Sequence, residues 1–150
     1  MARFLVDQMC GTLARYLRFC GHDVVYAPDH DLETDAEIAA AATAEDRTVI
    51  TRDQSLGSRA TDAIVITDLD IEGQLAAVAA VGVDLTLPEE PTRCGRCGGR
   101  LDRRTSAESP PEYVPDDLDA PTYECRRCGQ VFWRGSHWDR VSQTIDRALE

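Results

Sequence analysis

The sequence has 150 residues, 43% of them apolar, which is enough for one ordinary domain or a compact domain with a small module. The formal net charge is −11 and all 16 basic residues are arginines, so three lysine-dependent functions are excluded: P-loop nucleotide binding, Schiff-base chemistry and receiver-type phosphorylation. No run approaches the roughly 18 apolar residues of a membrane span, and the N-terminus does not resemble a signal peptide, so we expect a cytoplasmic protein without a membrane partner.

The first half of the chain alternates short apolar runs with helical stretches. Apolar residues at helical spacing mark the first helix, and Thr34 with Glu37 forms a capping box at the start of the second. The predicted elements are strand 4–6, helix 12–20, strand 23–27, helix 34–46, strand 48–51, a short helical stretch 54–60, strand 63–67 and helix 71–82. This alternation predicts an α/β fold with a small parallel sheet and flanking helices.

The second half differs in composition. We divide the chain into an α/β domain (1–83), a proline-containing linker (84–92), a cysteine-containing module (93–135) and a C-terminal helix (136–150). Within the module, residues 105–121 are rich in Pro, Ser and acids, which predicts a long irregular insertion.

Acidic residues follow the predicted strands. Asp7, Asp53 and Asp68 come after the first, third and fourth strands, and Asp35 and Glu37 begin the helix after the second. The carboxyl ends of parallel strands meet at one edge of a sheet, where ligands collect. Carboxylates brought together there require a cation, and Mg²⁺ or Mn²⁺ is the cation that such oxygen ligands favour. A bound ion of this kind would support hydrolysis of a nucleic-acid backbone.

The same acids also have an ordinary structural interpretation, which stays open. In a chain with 27 acidic residues, a strand-end carboxylate is often only a solvated turn residue. Asp35 suits the first turn of a helix because of the helix dipole, and Glu37 completes the capping box. From the residues alone, Asp7 and Asp53 are therefore stronger candidates than Asp35, Glu37 and Asp68.

Two C-x-x-C-G motifs, CGRCGG at 94–99 and CRRCGQ at 125–130, carry the strongest metal-binding signal. Four thiolates in two tight turns form a closed tetrahedral site, which is typical of structural Zn²⁺. The predicted zinc ligands are Cys94, Cys97, Cys125 and Cys128. Four sulfurs complete such a site, so we expect a structural or polar role for His137, and Cys10 and Cys20 are expected to be ordinary buried thiols. The module at 93–135 is thus a predicted zinc ribbon.

Several stretches together resemble the Mut7-C family. They are FLVDQMCGTLARYLRFCGHDVVY, DAEIAAAA, TVITRDQSL and VFWRGSHWDR, in this order along nearly the whole chain. The resemblance implies a PIN-like ribonuclease domain with a C-terminal zinc ribbon, and it places the metal-binding acids at Asp7, Asp35 and Asp53. A fourth acid has no single counterpart, because Asp68 and Asp70 both fit loosely.

The resemblance implies a metal-dependent ribonuclease that hydrolyses RNA phosphodiester bonds endonucleolytically. Eight arginines lie near the two C-x-x-C-G turns, which we call the knuckles. Together with Phe132, Trp133 and Trp138 they could help the ribbon to bind RNA through phosphates and stacked bases. We expect Phe132 and one tryptophan to form the ribbon's own small core instead.

Two alternatives stay open. The chain could be a non-catalytic zinc-ribbon adaptor that binds RNA, or a toxin-type nuclease controlled by an antitoxin. The sequence does not identify a ribosomal or protein partner. A strongly acidic chain without lysine also suggests a salt-adapted organism, and a halophilic protein would be more stable at molar than at low KCl concentration.

Overall fold

The computed structural model describes residues 2–105, 109–116 and 118–150. Four parallel strands form a sheet, as the alternating pattern predicted, and their order in the sheet is β2-β1-β3-β4. The strands are β1 (Arg3–Val6), β2 (Asp23–Tyr26), β3 (Thr48–Thr51) and β4 (Ala63–Val65). The central strands β1 and β3 are buried at every residue except their first, because both of their faces are covered.

Helices cover both faces of this sheet. The helices are α1 (Gly11–Phe19), α2 (Asp35–Glu45), α3 (Gln54–Arg59), α4 (Ile71–Ala80) and α5 (Ser136–Ala148). Alternate strand residues face opposite sides, so Phe4 and Val6 pack with α1, α4 and α5, whereas Leu5 packs with α2 and α3. The short helical stretch predicted at 54–60 is confirmed as α3, despite Gly57 in its interior.

The cysteine-containing module folds around a second sheet. Its three antiparallel strands, in the order β5-β6-β7, are β5 (Leu101–Arg103), β6 (Thr122–Cys125) and β7 (Val131–Trp133). The predicted insertion at 105–121 contains no helix or strand among its described residues; 106–108 and 117 lie outside them.

The C-terminal helix packs against the α/β part of the chain. Trp138, Val141 and Ile145 on α5 are buried in the same core as Leu75 and Val78 of α4. The two halves therefore share one core. No helix among the described residues combines the length and the apolar character that a membrane crossing needs.

Candidate active site and candidate metal centre

Asp7 lies at the carboxyl end of β1, next to β3. Its side chain is only 8% exposed, and both carboxylate oxygens accept hydrogen bonds. The Gln8 N–H donates to Oδ1 at 2.7 Å, and the Thr51 hydroxyl donates to Oδ2 at 2.9 Å. Each oxygen thus has a donor of its own, so the orientation of the Asp7 side chain is fixed before any ligand binds.

Asp53 lies two residues beyond the end of β3 and is linked to Asp7 through Thr51. The Asp53 N–H donates to the Thr51 hydroxyl oxygen at 3.0 Å, and that hydroxyl donates onward to Asp7. The Asp53 carboxylate caps α3 by accepting the Ser55 N–H at 2.9 Å. Asp7 and Asp53 thus share one hydrogen-bonded frame at the carboxyl edge of the sheet.

Asp35 and Glu37 begin α2, and they differ in their contacts. Asp35 is the first residue of the helix and is half-buried. Glu37 is committed to the predicted capping box, in which Thr34 and Glu37 each accept the other's backbone N–H at 3.1 Å. Hydrogen bonds to the Glu37 carboxylate from the backbone and the side chain of Thr34 lower the pKa of Glu37. The Asp35 carboxylate is therefore the freer of the two for binding a ligand.

Asp68 lies three residues past the end of β4, over the start of α4. Its backbone carbonyl accepts a hydrogen bond from Gln74 Nε2 at 3.0 Å. A Cβ on Gly73 would lie 2.8 Å from Asp68 Oδ1, so the absence of a side chain at Gly73 makes room for this carboxylate. Asp70 instead caps α4 by accepting the Gly73 N–H at 3.1 Å.

These carboxylates are not closely grouped. Among the described residues, only the four cysteines bring three or more potential ligand atoms all within 4.8 Å of one another. Asp7 and Asp53 are linked by Thr51, and the sheet order places Asp68 one strand further along the same edge. A divalent ion held by Asp7, Asp35 and Asp53 would therefore need side-chain rotation or bridging water, both of which suit Mg²⁺.

Three neighbours of Asp7 were not among the predicted site residues: Thr51, Tyr26 and Cys10. The Tyr26 hydroxyl donates to the Gln8 carbonyl at 2.8 Å. Burial raises the pKa of Tyr26, and the charges of Asp29 and Asp7 raise it further. Burial and the Asp7 charge likewise raise the pKa of the Cys10 thiol to about 11, which leaves it an inert neutral group.

The four cysteines of the two knuckles converge as predicted. The Sγ atoms of Cys94 and Cys128 are 3.6 Å apart, and those of Cys97 and Cys125 are 3.5 Å apart. Tetrahedral Zn²⁺ with bonds of about 2.3 Å requires sulfur–sulfur distances of about 3.8 Å, so the cluster fits this ion closely. The four thiols could therefore bind zinc.

Backbone amides support the same cluster. The Arg96 N–H donates to Cys94 Sγ and the Arg127 N–H to Cys125 Sγ, at 3.3 and 3.4 Å. Gly98 and Gly129 adopt positive φ angles of 81° and 78°, which let each knuckle turn back on itself. Such N–H groups stabilise thiolates, the form that a metal ligand requires.

The ribbon's aromatic residues divide between core and surface. Trp138 is buried, and Phe132 is half-buried edge-to-face against Phe19, with ring centroids 6.5 Å apart. Both side chains pack into the core of the α/β part, so the expectation that Phe132 and one tryptophan form a separate core of the ribbon is wrong. Trp133 instead stacks on Tyr113 at 6.4 Å with 22° between the ring planes, and Tyr113 is 50% exposed.

The remaining predicted residues have mixed roles. His137 is exposed and contacts Phe19 edge-to-face, with ring centroids 5.5 Å apart, which agrees with a structural role. Arg126 forms a bidentate ion pair with Asp102, with both contacts at 2.7 Å. The Arg93 guanidinium is buried and donates to the Gly98 carbonyl, so it stabilises the first knuckle and is unavailable to RNA.

Comparison with known proteins gives one match. The family model described as the Mut7-C RNAse domain matches residues 2–145. Neither the search of curated proteins nor the search of solved structures found a match. The matched range includes every candidate acid and all four clustered cysteines, and the chain therefore belongs to the Mut7-C RNAse domain family.

Proposed function

We propose that this protein is a ribonuclease that requires Mg²⁺ or Mn²⁺ and cleaves single-stranded or looped RNA endonucleolytically. The observation that carries the proposal is the Asp7–Thr51–Asp53 arrangement at the carboxyl edge of the parallel sheet of a Mut7-C chain. RNA as substrate follows from the family. Six cysteines without a disulfide fit a reducing compartment, so we place the protein in the cytosol.

Asp7, Asp35 and Asp53 would hold the divalent ion, with Asp68 as a possible additional ligand. When bound, such an ion polarises the phosphate and lowers the pKa of a water molecule. Asp7 is held as an acceptor by Gln8 and Thr51, so its charge does not need to be reorganised. The Cys94, Cys97, Cys125 and Cys128 set would hold structural Zn²⁺, and the ribbon would help to bind RNA.

The proposal is tested with full-length protein, Mn²⁺ and a circular RNA at molar KCl, because only an endonuclease can open a circle. We expect wild type to open the circle and the Asp7→Asn/Asp53→Asn variant to lose activity by at least about a hundredfold. Asn caps helices as well as Asp does, so α3 should persist in the variant.

The matched control is Asp46→Asn/Asp139→Asn. It makes the same change in charge at exposed residues, and Asn tolerates the left-handed backbone of Asp46 (φ 55°). It should cleave like wild type. Equal cleavage by wild type and the Asp7→Asn/Asp53→Asn variant, or none by either, contradicts the nuclease proposal.

The wide spacing of the carboxylates favours one second candidate, a non-catalytic adaptor that binds RNA through the ribbon. For an adaptor, Asp53→Asn would leave function intact, whereas Cys125→Ser would abolish it. For the nuclease, both substitutions reduce function. A complementation assay in the source organism distinguishes the two.

A further inference from the structure

A cleft begins beside the candidate active site, at the junction with the ribbon. It encloses about 400 Å³ between the start of α1, at Gly11 and Thr12, and the first knuckle, at Gly95 and Arg96. Tyr26, whose hydroxyl bonds to the residue after Asp7, forms part of the wall. A Cβ on Gly11 would lie 2.9 Å from that hydroxyl, so only a glycine leaves this end open. One hydrogen bond therefore joins this wall of the cleft to the residue that follows Asp7.

The cleft continues across the ribbon through two neighbouring depressions. The next encloses about 390 Å³, shares Arg15, Gly95 and Arg96 with the first, and extends to Phe132 and His137. The last encloses about 260 Å³ and runs from the same Phe132 and His137 to the stacked pair Tyr113 and Trp133. Each depression shares wall residues with the next, and we treat the three together as one groove. We call it the junction groove.

The junction groove is cationic in an otherwise acidic protein. Arg15, Arg18 and Arg96 line it, against a single acid, Asp29. Arg15 and Arg96 are exposed, and neither forms an ion pair among the described residues. Positive charge concentrated in a concave surface attracts a polyanion even when the net charge is negative.

Aromatic faces line the far end of the groove. Tyr113 and Trp133 stack on each other, and the Val131 N–H donates to the Tyr113 hydroxyl at 2.9 Å, which fixes the ring. Burial, and then the charges of Arg140 and Arg15, lower the pKa of His137, so its ring is neutral near pH 7. Rigid neutral aromatic rings are the surfaces on which unpaired bases stack.

The two walls of the groove are fixed relative to each other by Arg18. Its buried guanidinium donates to the Val24 carbonyl on the sheet side at 3.0 and 3.1 Å. The same group donates to the Gly95 and Arg96 carbonyls of the first knuckle, both at 3.2 Å. The knuckle that carries Arg96 is thus tied directly to the strand that ends at Tyr26. A preformed groove loses less conformational entropy when it binds a ligand than a groove that must first assemble.

We propose that the junction groove binds single-stranded RNA, with phosphates against Arg15 and Arg96 and bases on the Tyr113–Trp133 pair, and so leads the strand to Asp7. This inference rests on the proposed function for the identity of the ligand. The inference adds a specific path for the RNA strand across the protein. The groove should also prefer unpaired RNA, because the bases of a duplex have no free faces for stacking.

The test measures binding separately from cleavage. Fluorescence anisotropy of a labelled, unstructured RNA is recorded with zinc-loaded full-length Asp7→Asn/Asp53→Asn protein, without added Mg²⁺ or Mn²⁺. Adding Arg15→Glu/Arg96→Glu should weaken binding by at least about tenfold and reduce the slope of log K against log salt by about 1.4, the value for two phosphates on a single strand.

The matched control is Arg3→Glu/Arg59→Glu, which makes the same charge change at exposed arginines that lie outside the groove and are not among the arginines near the knuckles. It should weaken binding less than about threefold. Trp133→Ala should weaken binding by about fivefold or more through lost stacking, with unchanged zinc content and circular dichroism. A perfect RNA duplex should compete poorly.

Equal weakening by the groove and control pairs, or equal competition by the duplex, overturns the junction groove as the binding site. These measurements distinguish failure of the junction-groove proposal from failure of the nuclease proposal. Wild type that cleaves RNA while its groove variant binds and cleaves normally refutes only the groove. Wild type that does not cleave but binds RNA through Arg15 and Arg96 refutes only the nuclease.

Discussion

At the scale of single residues, Thr51 organises the candidate site more than any acid does. Its hydroxyl donates to Asp7 and accepts from the Asp53 backbone, and the residue is completely buried. One side chain thus fixes both the direction of the Asp7 carboxylate and the course of the backbone toward Asp53. A buried oxygen that loses its only donor is left without a hydrogen bond, which lowers the stability of the fold.

Thr51→Val tests this role. Valine keeps the shape and strand preference of threonine but removes the hydroxyl, so Asp7 Oδ2 loses its donor. We expect the free energy of unfolding to fall by about 1–3 kcal/mol in urea titrations. RNA cleavage by the folded protein should fall by about tenfold or more, because the carboxylate is no longer oriented.

The control is Thr48→Val, on the same strand at the opposite edge of the sheet. Thr48 also donates to a carboxylate, Asp62 Oδ2, at 2.6 Å, but that pair is exposed to water. The change should cost less than about 1 kcal/mol and leave cleavage unchanged. Similar losses in both variants would show that Thr51 has no special role.

The sequence predicted the edge of the sheet at which the acids lie better than it predicted how their side chains are oriented. Asp7 and Asp53 follow buried strands, so the strand pattern was enough to bring both to one edge. Thr51 was not predicted as a site residue, because a threonine in a strand is indistinguishable from any other β-branched residue. Asp35 does not directly follow a buried strand, and the orientation of its side chain depends on the path of residues 27–34, which periodicity does not determine.

At the scale of elements, the acids of this protein also start its helices. Asp53 caps α3, Asp70 caps α4, and Glu37 completes the capping box of α2. Negative charge near a helix N-terminus is favourable, so these residues have a structural role without any ion. A substitution that ignores this second role would confuse loss of a helix with loss of metal binding.

Glu37→Gln separates the two roles for α2. Glutamine can complete a capping box without a charge, so RNA cleavage should stay within about twofold of wild type. Hydrogen bonds to Thr34 lower the pKa of Glu37 below its ordinary value of 4.5, so its ionised form stabilises the fold. That contribution is complete above this pH and is lost as the pH falls through the lower, folded-state pKa.

The corresponding measurement is a set of thermal melts of wild type and Glu37→Gln between pH 3 and 7. Wild type should be slightly more stable near neutrality, and the difference should disappear toward pH 3. A difference that is constant across this range would show that the Glu37 charge does not contribute. Loss of cleavage with normal stability would instead make Glu37 a metal ligand.

At the scale of the whole molecule, the ribbon and the α/β part are joined by packing and by one buried cation. Trp138, Val141 and Ile145 complete the core over α4, and Arg18 bonds to backbone carbonyls on both sides of the junction. Burial lowers the pKa of Arg18. The four parallel strands and five helices were predictable from periodicity, but this docking was not. The amphipathic face of α5 shows only that something must cover it, and the sequence does not distinguish Arg18, which the structure buries, from a solvent-exposed arginine.

Removal of zinc should therefore destabilise the α/β part as well as the ribbon. Loss of the ion loosens the first knuckle, whose carbonyls accept hydrogen bonds from Arg18. Cys125→Ser should therefore lower the free energy of unfolding by at least about 3 kcal/mol, which corresponds to about 6–12 °C in melting temperature. The shift should appear in a single transition monitored by far-ultraviolet circular dichroism.

Cys20→Ser provides the control, because Cys20 is a half-buried thiol outside the zinc cluster. Burial and the Asp84 charge raise the pKa of Cys20 to about 12, so it is neutral and its loss should cost only about 1 kcal/mol. Two separate transitions in Cys125→Ser, with the α/β transition unshifted, would show that the halves are energetically independent.

The shared core has a practical consequence for dissecting this protein. A fragment that stops at residue 92 would keep all four parallel strands and every candidate acid, yet it would expose the faces of Leu75 and Val78 that α5 covers. Such a fragment should aggregate on size-exclusion chromatography. Loss of activity in the fragment would then reflect its aggregation and would not show that the chain lacks a catalytic site. Point substitutions in the intact chain are therefore the better test.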